Sequence, residues 1–272
     1  MPRPRYAFQV AALIAGVHAA GCADPEPSAP AGRALESAAD SLAARIEDAA
    51  GGRAAFDALP ALRWDFFSRR DTADSPRRRH LWDRAGARHR LEWTAGDSLL
   101  VAVFSTTHVT AGVPEDGRVY FDGSPLDSAD GRLRLGQAYA RFINDMYWLL
   151  APLKLFDPGV TRTLAPDSSD ASSEVLALSF AGVGLTPGDR YWMRADRRTG
   201  SLLAWSFHLE SDNTGTHDWN DPRDIATPTD TLHLAAVKTA RGGLVTIHTP
   251  AAAGVAEEPA FTDPRPNLAP LE

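Results

Sequence analysis

The chain has 272 residues with 28 basic against 35 acidic, a formal net charge of −7. That balance excludes a basic patch for nucleic acid or for anionic lipid. One cysteine in the whole sequence excludes an intrachain disulfide. Only Lys154 and Lys238 are lysines, which together with the high alanine content reads as codon bias and not as arginine-rich recognition.

The N-terminus has three parts: Arg3 and Arg5, a mainly apolar stretch from Tyr6 to Ala20, and the small residues Ala19, Ala20 and Gly21 before Cys22. A charged start, a short apolar run and small residues at the exit predict a removable secretion signal over 1–21. The run is shorter than the roughly 20 apolar residues a membrane span needs. Cys22 after Ala-Ala-Gly resembles the lipobox read by lipoprotein signal peptidase. That resemblance implies a thioether-linked diacylglycerol on Cys22 and a further acyl chain on its amine, an anchor firm enough to hold a protein on a bilayer. Ala23, not aspartate, follows the cysteine, which by the usual sorting rule points to the outer membrane, facing the periplasm. Without residues 1–21 the balance is 26 basic to 35 acidic, a net of −9. Residues 23–34, with three prolines among small residues, complete a lipidated tether over 22–34.

One domain is expected over 35–250. Leu35 to Ala50 predicts a helix, with Leu35, Leu42 and Ile46 on one stripe and Gly51-Gly52 as its stop, followed by a helical turn over 54–59 ending at Pro60. The period then changes to two, predicting strands over 62–69, 77–84, 88–94, 98–105, 107–112 and 117–122. In strand 98–105, Leu99, Val101 and Val103 alternate with Leu100, Ala102 and Phe104, so both faces are expected to be buried. Helical spacing returns over 130–150, with Leu135, Tyr139, Phe142, Met146 and Leu149 on one face and Pro152 beyond. After the turn at 157–159, strands are expected over 160–165, 174–182, 189–195, 201–210, 230–238 and 243–248, with a hairpin at Asp196–Gly200. Residues 251–272, with Pro259, Pro264, Pro266 and Pro270, read as a loose tail.

Short turns make successive strands antiparallel. About 10–12 strands in one sheet must curl, and the concave face must be filled. The expected class is therefore α+β: a strongly curved antiparallel sheet, an incomplete barrel, lidded by the N-terminal helices and the amphipathic helix at 130–150.

Residues 142–150 (FINDMYWLL), running on to Asp157–Val160, resemble a block in a family of uncharacterised bacterial lipoproteins. Residues 188–193 (GDRYWM) with 196–200 (DRRTG) resemble a second block, and 49–56 (AAGGRAAF) ahead of 62–66 (LRWDF) fits the same family. That family looks related to the LolA/LolB-like periplasmic lipoprotein-carrier fold, whose half-barrel encloses a hydrophobic cavity. The resemblance implies a monomeric, non-catalytic binder of a lipid or acyl chain with no cofactor. Trp64, Phe66, Trp82, Trp93, Phe104, Phe121, Trp205 and Phe207 on the strands, and Phe142 and Met146 on the lid, are the candidate cavity residues. The bland reading of the same aromatics is a packed core. The alternative function is an envelope sensor that recognises a partner protein through a sheet edge or the cavity.

Enzyme chemistry finds little footing. There is no Gly-x-Ser-x-Gly elbow, Walker loop or dinucleotide fingerprint. His208 and Glu210, with His217 and Asp218 downstream, are the best metal or hydrolase candidates and read instead as a solvated outer face. His80 and His89, on arginine-rich strands, are expected on exposed polar faces, and Asn144-Asp145 as a plain polar position on the lid helix.

Overall fold

The computed structural model describes residues 35–126, 128–181, 185–254 and 257–271. Cys22, the signal and the tether lie outside these residues. Helix α1 spans Ala38–Ala49, and its N-cap Ser37 accepts the Asp40 amide on its side chain (3.0 Å). Gly51, at φ +105°, turns the chain into α2 (Gly52–Ala58), and a β-carbon there would strike the Thr231 carbonyl.

The first group of strands is β1 (Ala61–Arg70), β2 (Ala73–Asp74), β3 (Arg78–Asp83), β4 (Arg88–Ala95) and β5 (Ser98–Ser105). There follow a two-stranded ribbon of β6 (Val109–Thr110) and β7 (Val113–Pro114), then β8 (Gly117–Phe121) and β9 (Ser124–Leu126). The long helix α3 (Ser128–Leu150) and a 3-10 turn over Ala151–Lys154 separate these from the second group. That group is β10 (Val160–Leu164), β11 (Ser173–Phe180), β12 (Arg190–Asp196), β13 (Leu202–His208), β14 (Thr214–Ala226), β15 (Thr231–Ala240) and β16 (Leu244–Ala253). A four-residue helix, α4 (Pro259–Thr262), lies in the C-terminal segment. No helix among the described residues is long and apolar enough to cross a membrane.

One antiparallel sheet of 14 strands runs in the order β10-β11-β12-β13-β14-β15-β16-β1-β3-β4-β5-β8-β9, with β2 paired to β1. Chain termini of the domain meet in the middle, where β1 pairs with β16 over its whole length, from Ala61 opposite Ala253 to Arg70 opposite Leu244. The sheet does not close; β10 and β9 are its edges. A curved sheet of this kind leaves one face to be filled, and the helices fill it in two parts. The inner face of α3 (Leu135, Ala138, Tyr139, Phe142, Ile143, Met146, Leu149) packs with Trp64, Leu91, Trp93, Leu100 and Phe104. Helix α1, through Ala39, Leu42, Ala43 and Ile46, packs with Leu176, Leu178, Met193, Trp205 and Trp219 at the other end.

Three segments depart from the sequence reading. β14 is a 13-residue strand where turn-forming residues suggest a loop; it pairs with β13 on one side and β15 on the other, and its inner residues His217, Trp219 and Ile225 are buried. Residues 107–112 are mostly a small ribbon outside the main sheet. The expected loose tail is not loose: β16 runs on to Ala253, and Phe261 and Leu268 are buried beyond it. They pack on Leu81 and Val103, and the outer side of β5, expected to be buried throughout, is so at Val101 and only partly at Leu99 and Val103.

Candidate functional site

The concave face holds nearly every aromatic expected there. Trp64, Phe66, Trp93, Phe104 and Trp205 are buried on the sheet and Phe142 and Met146 on α3, with Trp82 and Phe207 partly buried against them. Phe121 is the exception: at the rim of the sheet, it stays 39% exposed. Their arrangement is a packed interior. Phe142 lies within 4.1–6.3 Å of the rings of His89, Trp82, Phe104, Tyr139 and Trp64. In the other half Trp205 meets Trp148 edge-on at 4.7 Å, Tyr191 at 5.1 Å and Trp219 at 5.4 Å. Side chains of α3 occupy the space that an acyl chain would take in an open half-barrel. A surface hollow of about 450 Å³ around Trp192, Arg194, Ser206, Thr216, Asp218 and Arg241 opens on the opposite, convex side.

Beneath α3 runs a buried polar network that the sequence reading places wrongly. His80 and His89 are fully buried, not exposed, and Asp145 is the hub of the network, not a plain surface position. The period-two alternation of β3 explains it: Arg78, His80 and Trp82 face inward, while Arg79 and Leu81 face outward. Asp145 comes down from α3 onto this row. The Arg78 guanidinium grips its carboxylate from Nε (2.5 Å) and Nη2 (2.7 Å), and Asn144 donates to the same group at 2.7 Å.

The hydrogen bonds fix the histidine tautomers. The Asp145 carboxylate accepts from His80 Nε2–H at 3.0 Å, which leaves His80 Nδ1 as an acceptor. His89 Nε2–H donates to that nitrogen at 3.1 Å, so His89 Nδ1 is an acceptor, and it has no hydrogen-bond partner among the described residues. On the other side His248 Nε2–H donates to the Asp145 carbonyl at 3.1 Å, and Lys238 Nζ donates to His248 Nδ1 at 3.4 Å. Lys238 also donates to the Ala235 carbonyl and lies 4.7 Å from the Trp219 ring. One chain of hydrogen bonds thus ties residue 145 of α3 to β3, β4, β15 and β16. Trp64 holds the chain in place by stacking flat on His80, with ring centroids 4.4 Å apart and planes 4° from parallel.

Burial governs the protonation of this network. It pushes the Asp145 carboxyl up, but the Arg78 charge and the hydrogen bonds from His80 and Arg78 outweigh it and hold the group well below the usual carboxylate range. Burial lowers His80 against the opposing pull of Asp145. It lowers His89 and His248 further, with His80 adding to the effect on the first and Lys238 on the second, and it lowers Lys238. His217, against Trp148 and Phe207, is lowered by burial to about 4.

These depressed histidines make stability fall in acid. Between their folded values and the unfolded value of 6.5, the unfolded chain binds more protons, so stability is complete above pH 6.5 and drains away below it. Each unit of depression corresponds to about 1.4 kcal/mol. Urea midpoints should therefore drop steadily from pH 7 to pH 5, and a flat profile over that range would contradict neutral, buried histidines.

The hydrolase and metal candidates do not come together. His208 lies on the outer face beside Asp212 (3.5 Å), Glu210 accepts from the Gly188 amide, and His217 points inward. No cluster of three His, Cys, Asp or Glu side chains able to hold a metal is present among the described residues.

No family model matches the chain, and no curated protein matches it. Solved structures do resemble it. A LolA superfamily protein from Nitrosomonas europaea is 12% identical, with a TM-score of 0.48 over 83% of this chain and 97% of that one. A DUF1329 family protein from Desulfovibrio piger is 9% identical, with a TM-score of 0.43 over 81% and 94%. An outer membrane lipoprotein-sorting protein domain from Vibrio parahaemolyticus is 9% identical, with a TM-score of 0.40 over 82% and 95%. At these identities and scores the likenesses carry nothing about ligand, partner or role.

Proposed function

We propose that this protein is a cell-envelope lipoprotein, anchored through Cys22 and facing the periplasm from the outer membrane, whose half-barrel takes up a lipid or other hydrophobic ligand in the space that α3 fills here. The observation that carries the reading is the way the concave face is closed. It is lined with aromatic rings from strands of both groups, yet over the β1–β8 half it is filled mainly by the apolar stripe of one helix, pinned at Asp145. Displacing that helix would expose a trough lined by aromatic rings and crossed by the polar row of Arg78, His80, His89 and His248, and the tether would keep the trough beside a bilayer, a ready source of acyl chains.

Native mass spectrometry of residues 23–272, purified from the periplasm, tests the ligand. Co-purified phospholipid or fatty acid, or uptake of added palmitate, is the expected result; a clean apo mass that stays clean with palmitate would overturn the reading. Metabolic labelling with palmitate tests the anchor. Label should enter the wild-type chain and be absent from Cys22→Ser.

A further inference from the structure

The C-terminal segment, residues 257–271, lies across the convex face of β1, β3 and β4 and is held there in an unusual way. Outward-facing charges on these strands form two rows across the sheet. Asp65, Arg79 and Glu92 are register partners in one row; Arg63, Leu81 and Arg90 are partners in the other. Nearly all of them reach the main chain of the segment. Arg90 donates to the carbonyls of Ala260 (3.1 Å), Asp263 (2.8 Å) and Arg265 (2.5 Å). Glu92 accepts the amides of Asn267 (2.8 Å) and Leu268 (3.2 Å), and Asp65 accepts that of Leu271 (3.2 Å). Arg63, Arg79 and Arg77 donate to the carbonyls of Ala269 (2.7 Å), Leu268 (3.3 Å) and Leu271 (3.3 Å).

Side-chain recognition is sparse by comparison. Phe261 and Leu268, seven residues apart, are the buried anchors, and both sit on Leu81. Arg88 caps the first anchor, with its guanidinium carbon 4.3 Å from the Phe261 ring centroid, and pairs with Glu258 at 2.6 Å. Pro264, Pro266 and Pro270 preset an extended backbone, Pro259 opens α4, and all four remove amide donors that would otherwise need acceptors.

We propose that this convex face is a peptide-binding groove, occupied here by the chain's own C-terminal segment, which also accepts an extended, proline-containing segment of a partner protein. Grooves that read main-chain groups tolerate sequence, and specificity falls to the few side chains with pockets. The contacts therefore define the partner: an acidic residue, an aromatic anchor three residues on to sit on Leu81 under Arg88, and an aliphatic anchor seven residues further. The Arg90–Glu92 pair (2.7 Å) supports this assignment. Both side chains are fully buried with the segment lying across them, and both spend most of their hydrogen bonds on its backbone instead of on each other. The segment adds no strand to the sheet, so it can leave without breaking the ladder.

The test is competition between this segment and a labelled peptide. A fluorescent peptide of residues 257–271 is titrated into the wild-type chain and into F261A/L268A, whose own segment holds the groove weakly. Circular dichroism confirms that the variant is folded. The expected result is binding at least tenfold tighter to the variant, lost when the peptide carries the same two alanines, with amide shifts confined to β1, β3, β4 and the segment. No binding to the folded variant, or equal binding to both chains, would overturn the proposal. So would a mixed dimer of wild type and variant with no response to the peptide, because the groove would then serve exchange between copies.

Discussion

Replacing Asp145 with alanine is expected to lower the stability of the protein by about 3–5 kcal/mol, the loss seen when one member of a buried ion pair is removed and the other is stranded. The size follows from what is left behind. Arg78 would keep its charge with neither of its carboxylate bonds, and His80 would keep an Nε2–H with no acceptor. Both point into an interior whose walls are Trp64, Phe66 and Phe142. An unpaired buried group carries its full desolvation penalty, so deleting both ends of an interaction is milder than deleting one. The double variant Arg78→Met, Asp145→Leu should accordingly lose less than Asp145→Ala, although it discards more of the network. Urea unfolding of wild type, Asp145→Ala, Arg78→Met, Asp145→Leu and the double variant decides it. If the double variant loses as much as the sum of its single substitutions, Asp145 is not the hub of a coupled network.

The reason this network escapes a reading of the sequence lies in the distances along the chain. Alternation in Arg78-Arg79-His80-Leu81-Trp82 shows that two faces exist, but both carry arginine, and nothing local says which faces the core. The answer is Asp145, 65 residues away on another element, and a carboxylate beside an asparagine on a helix looks solvated until its partners are known. The same holds for the tail. Its prolines and alanines cannot bury much surface by themselves, which is why they read as a linker; the groups that order it, Arg90 and Glu92, lie about 170 residues earlier. β14 fails for a third reason. Its Asn, Asp, Gly and Pro residues favour turns locally, and hydrogen-bonded neighbours on both sides override that preference.

What the sequence does show is the architecture. Every residue of the stripe Leu135, Tyr139, Phe142, Met146, Leu149 is buried in α3, since a 3.6-residue period leaves no other way to hide those side chains. The strand alternation around the Asp196–Gly200 hairpin likewise gives inner Tyr191, Met193 and Trp205, all buried, with β12 and β13 paired. Periodicity thus reveals which residues share a face. It cannot reveal whether a concave face lined with rings is open or filled, because both states need the same apolar pattern; only the depth to which α3 sits distinguishes them.

Truncating the plug separates those states. Phe142→Ala is expected to lose about 3–5 kcal/mol, the usual range for emptying a buried phenylalanine site. The five aromatic neighbours of Phe142 belong to α3 and to four strands, β1, β3, β4 and β5, so they cannot collapse together onto the void. A void walled by rings stays dry and takes small apolar guests. Benzene should therefore raise the variant's urea midpoint and leave that of wild type unchanged. A long-chain fatty acid asks a different question, because it fits only if α3 moves aside. If the helix is a displaceable plug, palmitate should raise the midpoints of both proteins, by about 2.7 kcal/mol at a hundredfold excess over its dissociation constant. If the helix is an ordinary part of the core, palmitate should change neither, and only the benzene effect should remain. The pair of ligands thereby distinguishes a cavity made by mutation from one the wild-type fold can open for itself.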